Sequence, residues 1–119
     1  MNNSICHIEI SATDLKRAEK FYSELLSWKI QKAEKFPDYL VFDTGKEPGG
    51  GIQKVKKVNP GDGVLIYIEV KDIEKTLNKA KSLGGKIIKE KTDIPPIGWF
   101  GLLADLDGNI IGLFKNCQI

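Results

Sequence analysis

The apolar and polar positions between Ile5 and Ile30 change period once. Over the first residues they alternate, with Cys6, Ile8 and Ile10 on one face and Ile5, His7 and Glu9 on the other, the signature of a strand. Leu15, Ala18, Phe21, Tyr22, Leu25 and Leu26 then recur at helical spacing, an apolar stripe suited to one side of a helix. Asp14 precedes that stripe, where a carboxylate can meet the unpaired amides of a helix start. The same change recurs further along. Val64, Ile66, Ile68 and Val70 alternate with Leu65, Tyr67 and Glu69, Asp72 takes the cap position, and Ile73, Leu77, Ala80 and Leu83 form a second stripe closed by Gly84-Gly85. Glycine there can take the left-handed conformation that ends a helix.

Asp14 and Asp72 are 58 residues apart, and the same offset pairs Ile8 with Ile66, Ile10 with Ile68, Leu15 with Ile73, Leu25 with Leu83 and Ile30 with Ile88. Matches mostly at apolar positions are what two copies of one supersecondary unit retain, because packing restricts them. Further strands are predicted after each helix, at 28–34, 39–44 and 51–55 in the first copy and at 86–90, 99–104 and 110–115 in the second. Pro37-Asp38 and Asp107-Gly108-Asn109 supply turns, and "VNPGDG" lies within a short linker. The chain therefore reads as a single α+β domain over 1–119. It is built from tandem βαβββ modules, approximately 4–56 and 63–116, forming a curved mixed sheet around a central cavity with helices on its outer face. Ile8, Ile10, Ile66, Ile68 and Val70 are expected under the helices. His7, Glu9, Leu65, Tyr67 and Glu69 are expected on the inner face, where polar groups scattered among apolar ones suit a small-molecule pocket.

Composition narrows the function. The 119 residues carry a net charge of +2, and Arg17 is the only arginine. Bidentate reading of phosphates and base edges favours arginine, so no nucleic-acid partner is expected. No apolar run is long enough to span a bilayer, and the N-terminus lacks the pattern of a secretory signal. A cytoplasmic protein without a membrane partner is expected. Cys6 and Cys117 lie near opposite ends and read as reduced thiols, with a disulfide between terminal strands left open; they lack the spacing of a zinc site.

The stretches "HIEISATDLKRAEKFYSELLSWKI", "YIEVKDIEKTLNKAKSLGGKII" and "DLDGNIIGLF" resemble the vicinal oxygen chelate superfamily, which includes glyoxalase I, bleomycin-resistance proteins and extradiol dioxygenases. The resemblance runs from Ile5 to Lys115. It implies four cavity-facing metal seats, on the first and last strand of each copy. His7 matches one seat. Leu65, Gly112 and Gly51 match the other three and carry no donor side chain. Leu106 stands where the family usually has proline. A catalytic zinc needs about three protein ligands, and nickel and iron need several. Glu9 faces the same way as His7, but residues two apart on a strand are separated by about 6.6–6.8 Å, which strains a two-donor site. No cofactor is expected, and a divalent metal is disfavoured. The resemblance also implies a homodimer.

The ligand-binding candidates are His7, Glu9, Leu65, Tyr67, Glu69, Trp99 and Gly112, and no catalytic residue is identified. His7 reads either as a wall residue bonding a ligand or a neighbouring acid, or as a satisfied structural histidine. Trp99, after the stiff "DIPPIG", reads either as part of a lid over a flat ligand or as a core filler. "EPGGG" reads as a hairpin that brings backbone close to the cavity. The resulting function is a small-molecule binding protein of the glyoxalase/bleomycin-resistance type without the usual metal site. The alternatives are a lyase, isomerase or dioxygenase-like enzyme, such as a lactoylglutathione lyase, and a non-catalytic interaction module.

Overall fold

The two cap positions organise the observed architecture. In a computed structural model that describes residues 3–117, the Asp14 carboxylate accepts the amide of Arg17 at 3.1 Å and that of Asp72 accepts the amide of Lys75 at 2.9 Å. Each cap follows a strand and opens a helix. The first module is β1 (Ile5–Ala12), α1 (Leu15–Leu26), β2 (Lys29–Lys32), β3 (Tyr39–Asp43) and β4 (Gly49–Lys54). The second is β5 (Val64–Glu69), α2 (Ile73–Ser82), β6 (Lys86–Ile94), β7 (Gly98–Ala104) and β8 (Ile110–Asn116). The class is α+β, with βαβββ occurring twice, as the periodicity implies. Strand ends differ: β2 is shorter than predicted, β6 runs on to Ile94, and β4 begins at Gly49 rather than Gly51. Among the described residues no helix is long and apolar enough to cross a membrane.

Contacts divide the chain into two compact units, residues 7–65 and residues 66 onward together with the N-terminal residues up to Cys6. The first few residues join the second unit because the Glu69 amide donates to the Ser4 carbonyl at 2.9 Å and the Cys6 thiol to the Tyr67 carbonyl at 3.7 Å. Neither cysteine is in a disulfide.

In the first unit the strands lie in the order β2-β3-β4-β1, with β4 parallel to β1 and antiparallel to β3. Leu40, Phe42 and Ile52 are buried, and Ile8, Ile10, Leu15, Ala18, Tyr22, Trp28 and Ile30 pack on them. The stripe of α1 thus meets the apolar face of β1. Trp28 stacks between Tyr22 and Phe42, at centroid distances of 5.4 and 4.5 Å, within the range of favourable aromatic pairs. α1 ends on Ser27 with φ 60°, a left-handed position filled here without glycine. In the second unit the order is β5-β8-β7-β6. Val70, Ile73, Leu77 and Leu113 form the core, with Ile68, Ile87, Trp99 and Leu103 against it. α2 ends at Ser82 with Leu83 as its cap, and Gly84 just beyond has a φ of +103°, accessible to glycine at no steric cost.

Candidate functional site

In the first unit the site grows from a glycine. Glu9 of β1 is paired with Gly51 of β4, which in turn is paired with Val41 of β3. A side chain at Gly51 would project from the face that carries His7 and Glu9. The ring of Tyr39 lies there instead, so close that a Cβ at Gly51 would overlap its edge and hydroxyl. Tyr39 starts β3, two residues before Val41, and its side chain crosses the bare backbone of β4 to reach β1. Its hydroxyl meets Nε2 of His7 at 2.7 Å and also hydrogen-bonds Glu9. The His7 and Tyr39 rings lie 6.4 Å apart and nearly parallel. Phe42, on the other face, approaches Gly50 in the same manner.

Burial acts on this cluster. Desolvation lowers the His7 pKa below its ordinary value, favouring the neutral imidazole. Desolvation raises that of Glu9, and the Tyr39 hydroxyl partly opposes the rise. One phenolic proton limits the bonding patterns. With Glu9 ionised, Tyr39 donates to the carboxylate and accepts from a protonated Nε2. With Glu9 protonated, the direction reverses and a bare Nε2 accepts from Tyr39. The three groups therefore form a short path along which a proton can move.

The second unit repeats the device. Tyr67 of β5 is paired with Gly112 of β8, and its ring covers Gly112 so closely that a Cβ there would overlap it. By strand alternation Leu65 and Glu69 lie on the same side of β5 as Tyr67, and Phe100, Leu102 and Phe114 extend that face through their register with Gly112 and Glu69. The Lys89 ammonium lies 5.9 Å from the centre of the Phe100 ring.

Of the two readings of Trp99, lid or core filler, its packing supports the core filler. Trp99 alternates with Gly101 and Leu103 on the face turned to α2, where a Cβ on Gly101 would meet Ile73 and Leu77, and it packs against that core. Lys91 and Lys115 sit over its ring at 5.1 and 5.7 Å. The loop before it is tied down by the Cys117 amide and thiol, which bond to Ile97 and Pro96 at 2.9 Å each. The "EPGGG" stretch is part of a hairpin, as read: it closes the loop between antiparallel β3 and β4 and opens β4, where absent side chains admit Phe42 and Tyr39. Sequence reasoning missed Tyr39. The available signal was the glycine run itself, because glycines inside a strand mark places where something approaches closely.

A family model, the Glyoxalase/Bleomycin resistance protein/Dioxygenase superfamily, matches residues 4–113. The chain belongs to this superfamily. A glyoxylase-like domain-containing protein of Didymella fabae is 32% identical over 117 residues, covering 92% of this chain and 91% of that protein. Among solved structures, a hypothetical protein from Bacillus halodurans superposes with a TM-score of 0.74 at 20% identity, covering 100% of this chain and 98% of that one. Methylmalonyl-CoA epimerase from Mycobacterium tuberculosis gives 0.70 at 14% identity, covering 95% and 87%. These two likenesses concern the fold.

Of the four positions that the superfamily resemblance marks as metal seats, His7 alone bears a donor. Leu65 is apolar, and Gly51 and Gly112 lie beneath tyrosine rings. Among the described residues no three His, Cys, Asp or Glu side chains gather at one point. The side chains at these seats do not fit the multi-ligand centre of the metal-using members.

Proposed function

We propose that this superfamily member binds a small organic molecule without a resident metal, as a cytoplasmic homodimer, and that nucleic acid is no partner of it. The observation that carries this reading is Tyr39. Its hydroxyl stands between His7 and Glu9, the two donors best placed to share an ion, and its ring fills the space a ligating side chain at Gly51 would need. Phenol, imidazole and carboxylate form a polar end that can orient a ligand. Leu65 is proposed as a further contact on the first unit, and on the second unit's own face Tyr67, Glu69 and Gly112 are proposed as ligand contacts.

Elemental analysis and ligand screening test this together. Purified protein is expected to contain no stoichiometric zinc, nickel or iron. A ligand at 100 times its dissociation constant should add about 2.7 kcal/mol of stability. Tyr39→Phe should weaken binding without unfolding the protein, since the ring remains over Gly51. Stoichiometric metal lost on His7→Ala would overturn the proposal. No stabilising compound across a broad library would favour the interaction module.

The proton path through Tyr39 favours a second reading, an enzyme of isomerase or lyase type; some structural neighbours are methylmalonyl-CoA epimerases. In that case a bound ligand should be converted or exchange a proton with deuterated solvent, visible by NMR. The conversion should be lost in both Tyr39→Phe and Glu9→Gln. A ligand recovered unchanged and undeuterated rules this out.

A further inference from the structure

Resting on the binding reading above, we infer that the Glu9 end of the site takes an organic cation, a protonated amine seated against the Glu9 carboxylate with the aromatic ring of Tyr39 beside it. The charged groups on this face of the first unit are few. Lys29 and Asp43 are directly paired across β2 and β3 and offset each other. Gln31, Gln53 and Ser11 are uncharged. Glu9 remains, on β1, with Gly51 as its neighbour on β4. It is half-buried, and the influences on it are burial and the Tyr39 hydroxyl, with no cationic side chain among them.

A phenol can donate one hydrogen bond to a carboxylate, which leaves most of the acceptor capacity and all of the formal charge uncompensated. His7 adds no charge while it is neutral, the form that burial favours. A half-buried carboxylate in this state is costly until a cation arrives. The chain as a whole is positive, so this patch opposes the charge around it, and long-range attraction does not account for it. An ammonium group gains the carboxylate, and a ring offering its face beside it adds a cation–π attraction. An anionic ligand would meet repulsion at the same place, and a neutral one would leave the carboxylate uncompensated.

The test uses three probes of similar shape on the full chain at neutral pH: benzylamine, benzyl alcohol and benzoate, titrated while backbone amide shifts are followed by NMR. Benzylamine is expected to move the amides of Glu9, Tyr39 and Gly51. It should bind about tenfold or more tighter than the other two, as a partly desolvated ion pair allows. Glu9→Gln should abolish the preference. The preference should also shrink as salt is raised, by screening of the ion pair, which provides the readout should Glu9→Gln fail to fold. Equal or tighter binding of benzyl alcohol or benzoate, or a preference that survives Glu9→Gln, overturns the cation inference and leaves the binding reading in place. No shift at these residues from any of the three at millimolar concentration overturns both.

Discussion

At the scale of single residues, Tyr39 converts two separated polar side chains into one cluster, and the consequence is a pair of opposed pH dependences. The folded-state pKa of His7 lies below its ordinary 6.5. The unfolded chain therefore takes up a proton first as pH falls, and the associated stability, complete above 6.5, is lost on descending through the window between 6.5 and the lowered value. The folded-state pKa of Glu9 lies above its ordinary 4.5. Here the folded state holds its proton longer, so stability is lost as pH rises from 4.5 through the raised value. Glu9→Gln removes the second effect alone. The stability of Glu9→Gln relative to wild type should rise between pH 4 and pH 7 in denaturant titrations. A difference that is flat with pH, or that falls, contradicts the assignment. His7→Gln should correspondingly flatten the loss of stability below 6.5.

At the scale of elements, glycines set what the strands can hold. Gly51→Ala should displace the Tyr39 ring, with a loss of about 1–3 kcal/mol, typical of overpacking. The same substitution in a Tyr39→Ala background should cost much less, because the ring that clashes is gone. A double-mutant cycle measures that coupling, and additive effects would mean that the ring does not depend on the glycine. The helices follow ordinary rules. Asp72→Ala should cost about 1 kcal/mol through its lost cap, and Leu77→Ala, at a fully buried position, about 2–5 kcal/mol. Reversal of that order, measured by chemical denaturation, would contradict the placement of α2. Strand ends were less legible than strands. "GGGI" lacks the apolar alternation and β-branched residues from which strands are read, and its strand character comes from the neighbours on either side, β1 and β3. Trp99 was left between lid and core for a related reason. Its indole looked available beside a proline-rich loop, but alternation within β7 assigns it to the α2 face together with Gly101 and Leu103.

At the scale of the whole molecule, duplication is the governing fact. Each βαβββ module puts one face of its strands under its own helix, and each covers one glycine on the opposite face with a tyrosine, Tyr39 over Gly51 and Tyr67 over Gly112. The proposed homodimer should elute at twice the monomer mass of 13.3 kDa in light-scattering chromatography. A monomer at micromolar concentration would exclude that part of the proposal.

The sequence by itself determined the two modules, their caps, their helix-facing residues and the shortage of metal donors, because periodicity, cap chemistry and side-chain identity are local properties of the chain. Only the tertiary structure decided that Tyr39 joins His7 and Glu9, that Gly51 and Gly112 lie under rings, and that Trp99 belongs to the core. Those facts depend on strand register, which brings together residues such as 9, 39 and 51, and register follows from how whole faces pack rather than from any short stretch of sequence.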